Sequence, residues 1–326
     1  MEDVARSLAL VRPGASAGGG RERYLRRLRS GPERDPLLPE LSPLLRENLG
    51  VMLYQEDVSK AAEVLLGIDE SQSDLLRRKL KSGEIQREEV ISMCRARGMS
   101  SEKADATWDV LSSYAGYGFC KAHAVTYGAV ACAAAALKAE DPALYMASVM
   151  AAGGGFYRSG VYLEEARRLG VKFRPPGVNT GRWLTSEREG EIVPGFHFLK
   201  GMGSTEFQKL KRGRPYRYTT DVLSSGCSMT LLRNMASAGC FRELGFTPPQ
   251  ALLQLEAGDG GFIPGIPSGT PSLPDYSTVT RTAMELGTMG LPLTTSPMDL
   301  LDPPEGIMPA KSLPISGAAR AWGRPL

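Results

Sequence analysis

The sequence predicts a mainly α-helical protein, and three observations support this fold class. Apolar residues recur at helical spacing through much of the first 150 residues, as at Val58, Ala61 and Leu65. The stretch Ala124–Glu140 is rich in alanine, the residue with the highest helix propensity, and close helix–helix packing is expected there. Pro142 then marks the start of another helix, because proline is favoured in the first helical turn.

Individual elements follow from apolar spacing and from capping residues. A helix over Tyr54–Leu66 is expected to stop at Gly67, and Ser71 is expected to open the next helix with a capping box. Leu76 of that helix should face the core. Further helices are predicted at Gln86–Arg97, Glu102–Ser113 and Tyr162–Leu169, a strand at Gly170–Phe173, and a short hairpin or edge strand at Glu191–Leu199.

Length and composition limit the class of protein. The chain has 326 residues, enough for two domains, and its 42% hydrophobic content is typical of soluble globular proteins. It contains no apolar run of membrane-spanning length and no signal-peptide core at its N-terminus. Five scattered cysteines and two histidines form no metal-binding or disulfide pattern. We therefore expect a cytoplasmic protein with reduced thiols and no membrane partner.

Charge and proline content change along the chain. Between Lys200 and Arg217 there are six basic residues and one acidic residue, whereas from residue 251 onward there are four basic and seven acidic residues. Eleven of the 23 prolines also lie in that last part. The change near Thr247 predicts a domain boundary, followed by a linker or irregular tail that buries little of its own surface.

The motif YAGYGFCKAHAVTY, from Tyr114 to Tyr127, combines an aromatic–glycine hinge with two cationic groups at a predicted helix start. Lys121 is a candidate for binding the triphosphate of a nucleotide, and Tyr117 and His123 are candidates for lining the nucleotide pocket. Packing within the fold is the competing interpretation of the aromatic residues, and a hydrogen bond within the fold is that of His123.

A second cationic pair lies some forty residues earlier. Arg77 and Arg78 belong to the sequence LLRR on a predicted helix, and a guanidinium group matches the geometry of phosphate oxygens. The pair is therefore a candidate for triphosphate contacts. The competing interpretation is an ordinary solvated helix face.

The segment FLKGMGSTEFQKLK predicts a glycine turn that leads into an amphipathic helix. Backbone N–H groups at a helix N-terminus bind anions, and nearby lysines add positive charge. A common structural turn is the competing interpretation. The candidate DNA-binding residues are Lys200, Gly201, Gly203, Lys209, Lys211 and Arg212.

Taken together, short motifs along the chain resemble the alpha subunit of bacterial DNA polymerase III, a C-family DNA polymerase. Nine matches keep their order over about 240 residues. Departures from the family pattern, among them the loose tail and the lack of a clamp-binding peptide, suggest the error-prone branch of the family or a decaying or split gene. The nine matches are ALVRPG (Ala9–Gly14), YLRR (Tyr24–Arg27), LGVMLYQEDV (Leu49–Val58), DLLRR (Asp74–Arg78), AGYGFCKAHAVTY (Ala115–Tyr127), LKAEDPALYMA (Leu137–Ala147), PPGVN (Pro175–Asn179), LKGMG (Leu199–Gly203) and AGCFRELG (Ala238–Gly245).

The resemblance implies three regions. Residues 1–175 correspond to a helical fingers-type domain, residues 176–248 to a helix-hairpin-helix domain that binds duplex DNA, and residues 249–326 to a Pro/Gly-rich tail leading toward an OB domain that is missing from this sequence. The sequence departs from the family at Cys120, where asparagine is usual, and at Ala122, where serine is common.

The resemblance also implies a reaction, the template-directed addition of deoxynucleotides to a primer end. The implied partners are primer–template DNA, dNTP and a palm-bearing polymerase chain. The Mg2+ cofactor and its aspartates belong to the palm domain, and this sequence contains no Asp-x-Asp pair. We therefore expect no catalytic residue here and no polymerisation by the chain alone. The alternatives are a non-catalytic DNA-binding module and a degenerate structural remnant of a split or decaying gene.

Overall fold

A computed structural model describes residues 1–11, 19–31, 38–115, 118–153, 155–258 and 273–302, with the backbone alone at 114–115. The chain divides into two compact units, Met1–Ala136 and Leu137–Leu326. As predicted, the described residues are mainly helical. Among them, no helix combines the length and the apolar character that crossing a membrane would require.

The first unit is built from helices. In chain order they are α1 (Glu2–Leu10), α2 (Gly20–Ser30), α3 (Leu41–Leu44), α4 (Gln55–Leu66), α5 (Glu70–Ser82), α6 (Arg87–Ala96), α7 (Ser101–Ala115) and most of α8 (Lys121–Glu140). Helices α3 to α7 surround one apolar core that includes Val58, Leu65 and Leu111. A smaller core joins α1 and α2 to the segment before α4 and to the start of α8.

Helix boundaries in this unit agree with the capping chemistry, with one correction. Helix α4 ends at Gly67 as predicted, and this glycine has a left-handed conformation with φ +64°. The capping box of α5 is formed by Asp69 and Gln72, so the predicted box beginning at Ser71 is wrong by two residues. The Asp69 carboxylate accepts a 2.8 Å hydrogen bond from the Gln72 N–H. Aspartate caps a helix at least as well as serine, and Asp69 comes first in the chain.

The expectation of close packing along α8 is wrong for most of its described length. Only Ala124 and Gly128 are buried on this helix. A side chain at Gly128 would approach the Ala5 nitrogen of α1 to 3.4 Å, so the contact there is tight. Tyr127, Val130 and other residues of the helix are exposed. Alanine explains the helix formation, whereas the packing depends on two positions.

The second unit contains helices around a small sheet. Its elements are α9 (Pro142–Ala151), α10 (Ser159–Arg168), β1 (Lys172–Phe173), β2 (Ser186–Arg188), β3 (Glu191–Val193), α11 (Ser204–Arg212), α12 (Met229–Ser237), α13 (Pro248–Gly258) and α14 (Thr278–Met289). Strand β3 lies between β1, to which it is parallel, and β2, to which it is antiparallel. The hairpin or edge strand predicted within Glu191–Leu199 is therefore wrong. The hairpin joins β2 to β3 through a turn at Glu189 and Gly190, both of which have positive φ, and β3 is a central strand.

One apolar core holds the second unit together. Phe196 and Phe241 are its largest fully buried side chains. Phe196 lies in a single 3-10 turn that precedes the glycine turn at 201–203. The 3-10 turn, the glycine turn and α11 therefore follow one another directly along the chain.

Part of the tail is ordered, which corrects the expectation of an irregular extension. Helix α14 begins at a Ser277 cap, and Met289, Leu291 and Leu293 join the core of the second unit. The Arg167 guanidinium donates hydrogen bonds to the backbone oxygens of Leu293 (3.4 Å) and of the preceding proline. The high proline content of residues 251–326 gave no indication of this helix. The prolines flank the helix and do not interrupt it.

The ion pairs of Glu165 predict acid sensitivity in the second unit. Hydrogen bonds from Arg168 and Lys138 lower the pKa of Glu165 to about 2 from 4.5. The stabilisation is complete above pH 4.5 and is lost as the pH falls through about 2. Because the side chain is 29% exposed, Glu165→Gln should remove only about 1 kcal/mol at neutral pH. Denaturant unfolding of both proteins at pH 7 and at pH 2 measures this, and a difference at pH 2 as large as the one at pH 7 would contradict it.

Candidate nucleotide and nucleic-acid sites

The aromatic–glycine motif is anchored to the start of α4 by backbone pairing. Tyr54 and Phe119 form a parallel β-bridge, and the Gln55 N–H donates a 2.9 Å hydrogen bond to the Phe119 oxygen. Gly118 is needed for this approach, because a Cβ there would lie 2.6 Å from the Gln55 Cα. The start of α8 is thereby fixed beside α4.

Gly118→Ala is expected to disrupt this pairing. The new methyl group meets backbone atoms, which cannot rotate away, so overpacking should cost about 2 kcal/mol. Loss of protection of the Gln55 N–H in hydrogen exchange is the most direct readout. Gly287→Ala is the control for removing a glycine, since Gly287 lies inside α14 and a Cβ there meets no atom within 4 Å. Gly118→Ala with unchanged protection at Gln55 would contradict the packing argument.

Lys121 begins α8 and is partnered by acidic groups of the same unit. Its backbone N–H donates a 3.0 Å hydrogen bond to Glu56, and its ammonium lies 3.3 Å from the Glu47 carboxylate. The ammonium also lies 5.7 Å from the centre of the Tyr54 ring. Because its side chain is 45% exposed, Lys121 is accessible to an anion that competes with Glu47.

His123 lies in a row of rings on the exposed side of α8. Its ring centre is 5.4 Å from that of Phe119 and 4.3 Å from that of Tyr127. These rings offer faces on which a base can stack. Tyr117, the other candidate for the nucleotide pocket, lies outside the described residues.

The Arg77 and Arg78 side chains share one carboxylate on α5. Both guanidinium groups lie 2.7 Å from Asp74, and the Arg77 hydrogen bond is the main reason that the pKa of Asp74 is lowered. Arg77 is mostly buried, with 14% of its side chain exposed, whereas Arg78 is 71% exposed. Arg78 is therefore the more accessible of the two to a phosphate.

The candidate nucleotide residues form two groups in this structure. Arg77 and Arg78 lie on α5, which packs on α4 and α7. Lys121 and His123 lie at the start of α8. Among the described residues, no hydrogen bond, ion pair or ring contact joins the two groups.

The glycine turn presents an exposed backbone next to α11. Gly201 has φ +87°, which favours glycine, and Gly203 is the N-cap of the helix. Lys200 is exposed, while its backbone is fixed by bonds from its N–H to Thr288 (2.7 Å) and from the Asn234 amide to its oxygen (2.9 Å). The turn therefore holds the first turn of α11, whose N–H groups have no intrahelical acceptor, at the surface, where the Glu206 carboxylate bonds to the Glu206 N–H.

Helix α11 extends this surface along one exposed face. Phe207 and Leu210 are its buried residues. At 100° per residue, Lys211 and Arg212 fall on the same solvent side as Ser204, roughly 12 Å farther along the helix axis. The hairpin face is defined here as Lys200, Gly201, Gly203, Lys211 and Arg212. The sixth candidate, Lys209, lies on the flank, where it bonds to Glu206 at 3.0 Å and to the Gly226 oxygen at 3.3 Å.

An arginine-lined cleft of about 930 Å³ in the second unit escaped the sequence analysis. Arg174, Arg182, Arg188 and Arg242 contribute to its lining. Arg174 is paired with Glu189 and Glu191, and Arg242 is paired with Asp275. The arginines near the PPGVN motif could have indicated a basic site in the sequence. The cleft itself depends on a turn that places residues 174–182 against residues 239–243.

Arg214 holds that turn in place. It donates hydrogen bonds to the backbone oxygens of Val178 (2.8 Å) and Gly181 (2.9 Å). Its guanidinium also lies 5.9 Å from the Phe196 ring centre and 5.7 Å from that of Phe207. Arg214 therefore connects the 178–181 turn to the rings beneath the hairpin face.

The described residues contain no group of three or more His, Cys, Asp or Glu side chains that would hold a metal ion. The donor set for Mg2+ is thus not found in this part of the molecule. Nothing in the arrangement of Arg77, Arg78, Lys121 or the hairpin face requires a metal, because each of these groups is a cation or an N–H donor suited to anions.

Comparison with known proteins identifies the relatives of this chain. Residues 1–103 match the family described as the bacterial DNA polymerase III alpha subunit finger domain. An error-prone DNA polymerase of Ruegeria pomeroyi is 30% identical over 98% of this chain and 31% of the relative. DNA polymerase III subunit alpha is 31% identical in Treponema pallidum over 76% of this chain and 22% of the relative. In Escherichia coli K12 it is 32% identical, over 79% and 24% respectively. The chain therefore spans less than a third of the length of these curated relatives.

Proposed function

Because this chain belongs to the bacterial DNA polymerase III alpha family, we propose that it forms the part of a DNA-directed DNA polymerase that binds the primer–template duplex and the dNTP triphosphate. Its place would be in replication or repair synthesis. The hairpin face is the single observation that supports this proposal best. It combines the exposed N-terminus of a helix with exposed cations on one side of α11, and a phosphate there would displace the Glu206 carboxylate from the Glu206 N–H.

The hairpin face would bind the sugar–phosphate backbone without reading the base sequence. Its N–H groups and its Lys200, Lys211 and Arg212 side chains match phosphate oxygens, and such contacts carry no base information. The partial positive charge at the start of α11 adds to the attraction for phosphate. Binding by this surface should therefore weaken with salt as counterions are released.

The triphosphate contacts are assigned to Arg78, Arg77 and Lys121, with His123 and Tyr117 near the base. Arg78 and Lys121 are accessible enough to exchange a carboxylate partner for a phosphate. In this proposal the cations neutralise the leaving pyrophosphate. Magnesium, held by a palm domain of the complete polymerase, would supply Lewis-acid chemistry that the described residues do not provide.

The regional division remains part of the same proposal. Residues 1–175 would act as fingers and residues 176–248 as the duplex-binding region, with 249–326 as the connection to further domains. We also propose that the isolated chain does not polymerise, since its sequence contains no Asp-x-Asp pair of the kind expected to hold catalytic magnesium.

One observation favours a second candidate function, that of a DNA-binding module without nucleotide binding. Arg77, Arg78 and Lys121 are all paired with carboxylates, so the nucleotide contacts require existing ion pairs to exchange. The hairpin face requires no such exchange at Lys200 or Lys211. Fluorescence titration with a labelled dNTP separates the two functions, because only the polymerase function predicts binding that weakens in Arg78→Gln.

Removing the positive charges of the hairpin face should weaken duplex binding. For Lys200→Gln/Lys211→Gln/Arg212→Gln, we expect the slope of log K against log salt to fall by about 3, if each side chain contacts one phosphate. Fluorescence anisotropy with a labelled primer–template duplex measures the slope. Lys209→Gln is the single-site control on the same helix, and it should leave the slope unchanged, whereas the loss of one phosphate contact would lower it by about 0.9.

An unchanged slope in the triple variant, with the parent chain binding the duplex, would contradict the assignment of the hairpin face. Circular dichroism of the variant tests whether α11 is intact. Basic residues near a helix C-terminus also stabilise the helix. A variant that keeps its helicity but loses salt-dependent binding therefore supports phosphate contact over a structural role of Lys211 and Arg212.

A further inference from the structure

Helix α2 carries a concentration of positive charge that neither candidate site uses. Its eleven residues contain five arginines and one acid, Glu22. Its net charge of +4 exceeds the +3 of the whole chain. The rest of the chain is therefore nearly neutral in sum, and α2 is one of two strongly basic segments, the other being Lys200–Arg217 with six basic residues and one acid.

The fold anchors α2 through one side of the helix. Tyr24 is buried at 7% exposure. Arg27 donates hydrogen bonds to the backbone oxygens of Leu49 (3.2 Å) and Gly50 (2.7 Å). These two contacts fix the orientation of the helix in the first unit, so the opposite side faces solvent in a defined way.

Three arginines occupy that opposite side. Arg21, Arg26 and Arg29 are exposed, and within the described part of the chain none of them has an ion pair or a side-chain hydrogen bond. At 100° per residue they fall within a sector of roughly 140°, and they span about 12 Å of the helix axis. We refer to Arg21, Arg26 and Arg29 as the α2 face.

Helix stability accounts for only part of these charges, because the helix dipole favours a cation in the last turn, where Arg29 lies. Arg21 lies in the first turn, where the helix dipole disfavours cations. Arg26 and Arg29 are three residues apart, a spacing at which like charges repel. An anion bound across the face would relieve both repulsions. Because the cations are spread along the axis, several phosphates in a row satisfy them better than one free phosphate does.

We infer that the α2 face binds the phosphodiester backbone of nucleic acid, at a site additional to the hairpin face. The inference rests on the proposed function, since it assumes that the chain engages primer–template DNA. The contacts are to phosphate and so are independent of base sequence. Leu25 and Leu28, which are 43% and 62% exposed on the same helix, are available to cover the sugar edge of a bound strand.

The test is the salt dependence of binding by Arg21→Gln/Arg26→Gln/Arg29→Gln in the full chain. Anisotropy is measured with a labelled primer–template duplex that has a single-stranded template overhang, and with the overhang alone. The slope of log K against log salt should fall by roughly 2 to 3 relative to the parent chain on at least one of the two probes. The probe affected tells whether the duplex or the single strand lies on the α2 face.

A matched control removes the same charge elsewhere. Lys60, Arg95 and Lys172 are exposed, and their triple glutamine variant should keep the parent slope, with any change well below the roughly 0.7 expected for the loss of one phosphate contact. Circular dichroism and thermal unfolding check that the α2 variant is folded. If it unfolds, Arg29→Gln alone replaces it, and the expected fall in slope is roughly 0.7 to 0.9.

Two outcomes would overturn the inference, and they are distinguishable. If the parent chain binds DNA with a slope that the hairpin variant lowers and the α2 variant does not, only the α2 face is rejected. An acidic protein partner is then the remaining explanation of the charge. If the folded parent chain binds neither probe, the proposed function and the α2 face both fail.

Discussion

Arg214→Met is expected to lower the free energy of unfolding of the second unit by about 3 kcal/mol. Methionine keeps the apolar stem but donates no hydrogen bond, so the Val178 and Gly181 oxygens lose a charged donor, each such bond being worth about 1.5–3 kcal/mol. The expected loss is at the lower end of the sum for two such bonds, because both hydrogen bonds are only partly buried. The contact with the Phe196 and Phe207 rings is lost as well.

Urea unfolding followed by Trp183 fluorescence measures this loss. Trp183 reports on the second unit because it packs on Phe207, at 5.6 Å between ring centres. Replacing Trp108 and Trp322 with phenylalanine leaves Trp183 as the only tryptophan. Arg233→Met is the matched control, since the Arg233–Glu256 pair is 45% and 49% exposed and should contribute less than about 1 kcal/mol. Equal losses in both variants would contradict the role assigned to Arg214.

Asp57→Ala is expected to lower the free energy of unfolding of the first unit by about 3 kcal/mol. One oxygen of the buried Asp57 carboxylate accepts bonds from the N–H groups of Leu53 (2.9 Å) and Tyr54 (3.0 Å) and from the Asn48 amide (3.2 Å). Alanine leaves these donors without a partner, at a cost of about 1–3 kcal/mol for each buried group. It also removes the capping box of α4.

Asp57→Asn separates hydrogen bonding from charge. Burial raises the pKa of Asp57, so its ionised form is not favoured by the site even though three donors surround it. An asparagine oxygen can accept the same backbone bonds, and this variant should therefore lose less than half as much stability as Asp57→Ala. Urea unfolding with Trp108 as the only tryptophan provides the measurement. A loss as large in Asp57→Asn as in Asp57→Ala would show that the negative charge itself is needed.

Both variants also bear on the candidate sites. Arg214 lies beneath the hairpin face, and Asp57 fixes the segment whose Tyr54 pairs with Phe119 near Lys121. Disturbing either one should move groups that the proposed function uses. Stability and DNA binding are therefore best measured on the same samples.

The sequence predicted most helices because their causes are local. Helix α4 follows from apolar spacing and ends at Gly67, and the start of α9 follows from the Asp141 cap and Pro142. The start of α5 was misplaced because Asp69 and Ser71 both qualify as caps, and only the structure shows which of them bonds to a backbone N–H. Helix α14 was missed because its stability comes from packing of Met289 and Leu291 on a distant core.

The sequence predicted which residues belong to the candidate sites better than it predicted how these residues are arranged in space. Lys121 and His123 were identified from one motif, but the pairing of Tyr54 with Phe119 that positions them involves residues 65 positions apart. The ion pairs of Arg77 and Arg78 with Asp74 could have been predicted from helical spacing, since all three residues lie on one helix. The arginine-lined cleft depends on long-range contacts around Glu243, which no local pattern indicates.

The central claim is that this chain holds primer–template DNA through its phosphate backbone. The most direct measurement is fluorescence anisotropy of the unmodified chain with two primer–template duplexes of unrelated sequence, each at several salt concentrations. We expect equal affinity for both duplexes and a steep, linear fall of log K with log salt. A folded chain that binds neither duplex, or whose binding does not respond to salt, would contradict it.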